Sequence, residues 1–114
     1  MFHHLRSAEI EKSPGGTRTF EGGPYNAGVS FFLVEVVAGK GPALHRHDYP
    51  ETFIVEAGIA HFIAGDAEMD AGPGDIVVVE AGTPHRFESV GPDVLIMACV
   101  HAAPKIRSEW LDER

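Results

Sequence analysis

The chain of 114 residues has a single cysteine, Cys99, so no intrachain disulfide helps to hold it. Cys99 lies in the apolar run from Val94 to Val100, where a buried structural thiol is expected rather than a reactive one. Basic residues are also scarce. Nine Lys and Arg stand against seventeen Asp and Glu, a formal charge of −8. They are scattered singly, so no basic patch is available to displace phosphate counterions, and nucleic acid is not an expected partner. No stretch approaches the roughly 20 apolar residues that a membrane-spanning helix needs. Met1 to Ile10 holds two histidines, an Arg and a Glu, and lacks the apolar centre of a secretory signal. A cytoplasmic protein without a membrane partner is the expectation.

Turn formers are abundant: thirteen Gly and eight Pro punctuate the chain at short intervals. Between them lie brief runs rich in Val, Ile and Phe, at Val29 to Ala38, Glu51 to Val55, Ile59 to Ala64, Asp75 to Val79, Pro84 to Ser89 and Val94 to Val100. Short β-rich runs at this spacing predict an all-β sandwich or barrel. Gly39-Lys40-Gly41-Pro42, Glu56-Ala57-Gly58, Gly72-Pro73-Gly74 and Gly91-Pro92-Asp93 read as turns. No long helical periodicity is present. Residues 13 to 28 read as an arm or long loop, and Ser108 to Glu113 as one turn of helix capped by Ser108, with Trp110 and Leu111 packing back. No internal repeat or boundary divides the chain. One domain is expected over 1–114, with a core at about 29–101, an N-terminal arm at 1–28 and a tail at 102–114.

The residues that carry chemistry cluster around His45-Arg46-His47. In a strand, alternate side chains share a face, so His45 and His47 point the same way. Glu51 opens the next strand, where its carboxylate can reach the same point. His85 arrives after the Gly-rich turn Glu80-Ala81-Gly82-Thr83-Pro84. Three imidazoles and a carboxylate make a mixed nitrogen and oxygen donor set for one divalent ion such as Fe, Mn, Co, Ni or Zn. Taken alone, His-x-His equally describes a solvated strand edge.

The spacing of the glycines decides between these readings. Gly39, five residues, His45-x-His47, three residues, Glu51, six residues, Gly58 resembles the first motif of the cupins at every fixed position. Gly74, Gly82 and His85 resemble the second motif, with Glu80 in place of its Pro and Ser89 in place of its Asn, both at turn positions. The resemblance covers roughly residues 29 to 101, and the short stretch between motifs, Ile59 to Pro73, is similar to that of compact single-domain cupins. It implies a small antiparallel double-stranded β-helix, the jelly-roll barrel, in which His45, His47, Glu51 and His85 bind a metal that keeps one or two open positions. The glycines would supply positive φ in tight turns around the ion.

Strand parity extends the reading. If Glu51 faces inward, so do Phe53 and Val55. A two-residue hairpin at Ala57-Gly58 would pair Val55 with Ala60 and Phe53 with Phe62, which turns Ala60, Phe62 and Ala64 inward. His85 brings Phe87 to the same face. Phe53, Phe62 and Phe87 then either wall an apolar pocket for a small organic molecule or simply fill the core. Arg46 and Arg86 should face away from the ion. His61 should lie outward beside Ile54, Ile59 and Ile63, an apolar cluster expected to form a homodimer contact, since small cupins are commonly dimers. Asp48 and Tyr49 read as a solvated turn, His101 as a surface residue, and His3 and His4 as part of a flexible terminus.

The resemblance implies metal-dependent chemistry on a small molecule, and among cupin activities a dioxygenase-type enzyme is expected here. A non-catalytic binding or sensory module is the alternative, as is a metal-dependent isomerase. The isomerase case is weakened because no acid–base pair stands beyond the ligands.

Overall fold

A computed structural model describes residues 1–111 of the chain. Its strands follow the apolar runs: β1 (Thr17–Phe20), β2 (Ser30–Val36), β3 (His45–Arg46), β4 (Glu51–Ala57), β5 (Ala60–Ala64), β6 (Ala67–Ala71), β7 (Ile76–Val79), β8 (His85–Ser89), β9 (Leu95–His101) and β10 (Glu109–Trp110). Two single-turn 3-10 helices, Ser7–Glu9 and Gly23–Tyr25, are the only helical elements among the described residues. The strands form two antiparallel five-stranded sheets, in the orders β1-β2-β9-β4-β7 and β10-β3-β8-β5-β6. Between β2 and β5 each strand lies in the opposite sheet from the one before it, and the same holds from β6 to β10. This is the double-stranded β-helix expected from the sequence.

Period-2 burial builds the core. In β4, Glu51, Phe53 and Val55 face inward; in β8, His85, Phe87 and Ser89; in β9, Leu95, Met97, Cys99 and His101. Phe53 meets Phe62 edge to face, with ring centroids 4.9 Å apart, and Phe62 meets Phe87 at 5.9 Å. Each such buried side chain contributes about 1.5–3 kcal/mol relative to exposure. Cys99 is buried, as its apolar run predicts.

Gly58 shows why a glycine is needed where the chain leaves β4. Its φ is +78°, and a Cβ there would lie 2.6 Å from the Val94 carbonyl oxygen. No side chain fits that approach.

Four local expectations are corrected. β4 and β5 do not form a hairpin: β4 pairs with β7 and β9, while β5 pairs with β6 and β8 in the other sheet. Ala60 and Phe62 nevertheless face inward, because both sheets bury the face turned toward the other. The three isoleucines therefore form no single cluster. Ile54 is exposed on the first sheet beside Ile76, its partner in β7, whereas Ile59 and Ile63 are half-buried at the second. Residues 13 to 28 are not all loop, since Thr17–Phe20 pairs with β2. Over residues 108 to 111 the tail is not helical: Glu109–Trp110 pairs with β3, so backbone groups find partners across strands. Asp112 and Glu113 of the expected helical turn lie outside the described residues.

Candidate metal centre

The two sheets deliver the four sequence-predicted ligands to one point. His45 and His85 are directly paired across β3 and β8 of the second sheet. Glu51 begins β4 of the first sheet. His47 follows β3 and keeps its inward parity, while Arg46 between the two histidines turns out and forms a bidentate pair with Glu109. All four candidate side chains are buried, and one donor atom from each lies within 4.8 Å of every other. A hydrogen bond from Gly82 N–H to the His47 carbonyl, 2.7 Å, ties the loop ahead of His85 to the loop that carries His47.

Each of the three histidines is fixed through one ring nitrogen. Nδ1 of His45 lies 2.8 Å from the Ala43 carbonyl, Nδ1 of His47 lies 2.7 Å from that of Arg107, and Nδ1 of His85 lies 2.8 Å from that of Thr83. A carbonyl only accepts, so each Nδ1 carries the proton and each Nε2 presents a lone pair in the neutral ring. This is the orientation that backbone carbonyls impose on metal-binding histidines. Glu51 Oε1 stands 3.0 Å from Nε2 of both His47 and His85. Nε2 of His47 is buried without a well-aligned hydrogen-bond partner. A cation is the partner this set of lone pairs and one carboxylate fits, and the donor set suits a divalent first-row transition ion.

The electrostatics agree. Burial pushes the His45 imidazole down to about 4, so it stays neutral over most of the pH range. Burial also works against a charge on His47, but contact with Glu51 and the Arg107 carbonyl outweighs it and raises its proton affinity. For Glu51, burial favours the neutral acid. The neighbouring imidazoles of His101, His47 and His85 outweigh it and hold the carboxyl well below the usual carboxylate range. Glu51 is therefore an anion, the charge a divalent ion requires.

A cavity of about 720 Å³ opens onto this point. His45 and Glu51 form part of its lining, with Phe32, Val34, Phe53, Phe87 and Trp110 around them. Phe53 and Phe87 thus stand at the pocket wall, while Phe62, paired with Phe87 across β5 and β8, packs behind both. Trp110 lies 4.9 Å from the His45 ring and is 60% exposed at the rim. Arg86 turns outward toward Glu88, and His61 sits on the outer face between Asp70 and Glu68, both as parity requires.

Three contributors were not foreseen. His101, expected at the surface, is fully buried, with Nε2 3.1 Å from Glu51 Oε2. The signal was present: the alternation that buries Cys99 also buries His101 two residues on. Tyr49, expected in a solvated turn, is buried by the same alternation from His45 and His47, and its hydroxyl lies 2.7 Å from His101 Nδ1. Arg107 gave no signal, because its backbone does the work. Its carbonyl holds His47, its N–H donates to the Tyr49 oxygen at 3.1 Å, and its guanidinium lies over the Tyr49 ring and pairs with Asp48.

Residues 32–101 match the cupin domain family, and the chain belongs to it. No curated protein matches the chain. Solved structures share the fold. Oxalate decarboxylase from Bacillus subtilis aligns with a TM-score of 0.80 at 17% identity over 96% of this chain and 34% of its own. Oxalate decarboxylase from Lactobacillus farciminis, in complex with formate, aligns with a TM-score of 0.78 at 20% identity over 90% and 33%. A Klebsiella pneumoniae protein with a double-stranded β-helix domain aligns with a TM-score of 0.77 at 19% identity over 99% and 100%. The chain spans about one third of the length of the two decarboxylases it matches. The Bacillus subtilis enzyme has Mn(II) centres.

Proposed function

We propose that this cupin binds one divalent transition ion through His45, His47, Glu51 and His85 and acts as a small-molecule metalloenzyme of the dioxygenase type. The observation that carries the reading is the convergence of three fixed Nε2 lone pairs and one buried carboxylate at an apolar cavity. When bound, the ion would supply a Lewis acid and a template with open positions for a chelating ligand and dioxygen. The protein residues do the rest. Phe53, Phe87, Val34 and Phe32 exclude water and take up the apolar body of the ligand. Burial keeps the Cys99 thiol protonated at the cavity wall, where it acts as an apolar contact.

The cavity argues against oxalate. Beyond the ion itself a small dianion would find one cationic side chain in this lining, Lys40, where Glu35 stands as well. An enol or β-dicarbonyl with an apolar substituent fits better. The lining has no further imidazole or carboxylate pair for proton shuttling, which favours oxygen chemistry over isomerisation. A single buried thiol is in keeping with the cytoplasm. The exposed face of the first sheet, with Ile54, Ile76, Val78 and Ile96, is the surface we assign to a homodimer.

The test is dioxygen consumption, with formate and carbon dioxide release followed for oxalate, by protein loaded with Fe(II), Mn(II), Co(II), Ni(II) or Zn(II), against apolar β-dicarbonyls and oxalate. Uptake with an apolar β-dicarbonyl and Fe(II) is expected. Binding of such ligands without turnover at any metal would support the sensory reading instead. Turnover of oxalate alone would overturn both.

A further inference from the structure

Beside the four ligands lies a fourth buried imidazole whose proton sits on the opposite nitrogen. His101 ends β9 directly across from Glu51 in β4. It is enclosed by the rings of Phe32, His47 and Tyr49, with centroids 5.0, 4.8 and 5.4 Å away. Its Nδ1 faces no carbonyl. It faces the Tyr49 hydroxyl at 2.7 Å.

The single proton of that hydroxyl has two candidate acceptors, His101 Nδ1 at 2.7 Å and the Arg107 carbonyl at 3.3 Å. The first distance is that of a strong hydrogen bond and the second is long for one. The Tyr49 oxygen meanwhile accepts from Arg107 N–H. Tyr49 therefore donates to Nδ1, and the neutral His101 ring carries its proton on Nε2. That nitrogen is buried without a well-aligned hydrogen-bond partner, and the acceptor beside it is Glu51 Oε2 at 3.1 Å. Oε2 is the oxygen that neither His47 nor His85 approaches; those two nitrogens lie on Oε1.

We infer that His101, set in its tautomer by Tyr49, is a positioning residue that donates Nε2–H to Glu51 Oε2 and so presents Oε1 to the metal. His101 is not itself a ligand: its donor atom falls outside the group of four that lie within 4.8 Å of one another. Without the clamp, the carboxylate is free to rotate about its terminal torsion, which is soft and broad. The inference rests on the metal reading of the preceding section and adds a residue to it.

The experiment is Co(II) titration of the full chain against a chromophoric chelator, with the visible absorption of the bound ion recorded for each variant. His101→Leu removes the donor, His101→Gln keeps an N–H in the Nε2 position, and Tyr49→Phe removes only the hydroxyl. Loss of an outer partner of a metal ligand weakens binding about 10- to 100-fold. His101→Leu is expected in that range and Tyr49→Phe near its lower end, about tenfold. His101→Gln is expected to restore wild-type affinity with unchanged absorption bands. Thermal melting of the metal-free proteins separates these effects from loss of fold. Should His101→Leu not fold, the other two variants decide the matter. Wild-type affinity in Tyr49→Phe, or affinity in His101→Gln as weak as in Tyr49→Phe, overturns the clamp. Shifted absorption bands in His101→Gln would overturn it too, by making His101 a ligand. If the wild-type chain binds no Co(II), the metal reading fails together with the clamp. If it binds and His101→Leu binds equally well, the clamp alone fails.

Discussion

Acidifying the metal-free protein from pH 6.5 to pH 4.5 should remove about 2 kcal/mol of stability, through His45. The imidazole has an ordinary value of 6.5, and burial brings it to about 4 in the folded state. Between those values the unfolded chain binds a proton that the folded chain refuses, so stability falls with pH. The full separation of about 2.5 units corresponds to about 3.4 kcal/mol, and integration over the chosen window gives the smaller figure. Neither neighbour cancels it. His47 is shifted upward, so its contribution is fully present below its unfolded value and is lost only above that window. Glu51 is shifted downward, so its contribution is present above the unfolded carboxylate value and is lost only at a pH below the window. Urea unfolding in the presence of a chelator at the two pH values measures the difference. His45→Leu should flatten it, whereas His61→Ala, at an exposed imidazole, should keep it. Equal stability of the wild type at both pH values, or an undiminished fall in His45→Leu, would refute the placement of His45 in a desolvated site.

Three further outcomes follow from the packing. Trp110 is the single tryptophan and lies 4.9 Å from the His45 ring, so loading with paramagnetic Co(II) should quench most of the fluorescence; an unchanged emission at full occupancy would place the ion elsewhere. Phe53→Ala should cost about 3–5 kcal/mol in denaturant unfolding, while Thr52→Ala on the outer face should stay within about 0.5 kcal/mol. Ile76 and Val78 are 66% and 60% exposed on one sheet face. Light scattering should report a dimer for the wild type and a monomer for Val78→Asp, and a wild-type monomer at micromolar concentration would remove that face as an interface.

Strands with apolar residues at every second position were legible in the sequence, and so was the convergence of His45, His47, Glu51 and His85, because glycine spacing and strand parity both constrain it. Gly39, Gly58, Gly74 and Gly82, the four motif glycines, all have positive φ. Parity also carried Phe62 to the inside even though its strand was assigned the wrong partner, since a period of two says which face is buried and not which strand lies alongside. β6 (Ala-Glu-Met-Asp-Ala) was invisible because it is a largely exposed edge strand with two acids and a weak β signal. β1 was hidden in a Gly- and Pro-rich segment, and β10 has two residues and owes its conformation to β3. The tail's hold on the site runs through the Arg107 backbone, which no side-chain pattern reveals.

The metal-to-protein ratio of tag-free protein after dialysis, measured by elemental analysis on single variants, bears most directly on the proposed centre. The wild type should retain one divalent ion per chain. Ala in place of His45, His47, Glu51 or His85 should lower retention by orders of magnitude with the β-sheet circular dichroism intact, because the ion is not part of the Phe and Val core. Arg46→Ala, Arg86→Ala and His61→Ala should retain a full complement, since all three side chains turn outward. A wild type that holds no ion, or a His85→Ala protein that keeps its ion while His61→Ala loses it, would contradict the assignment.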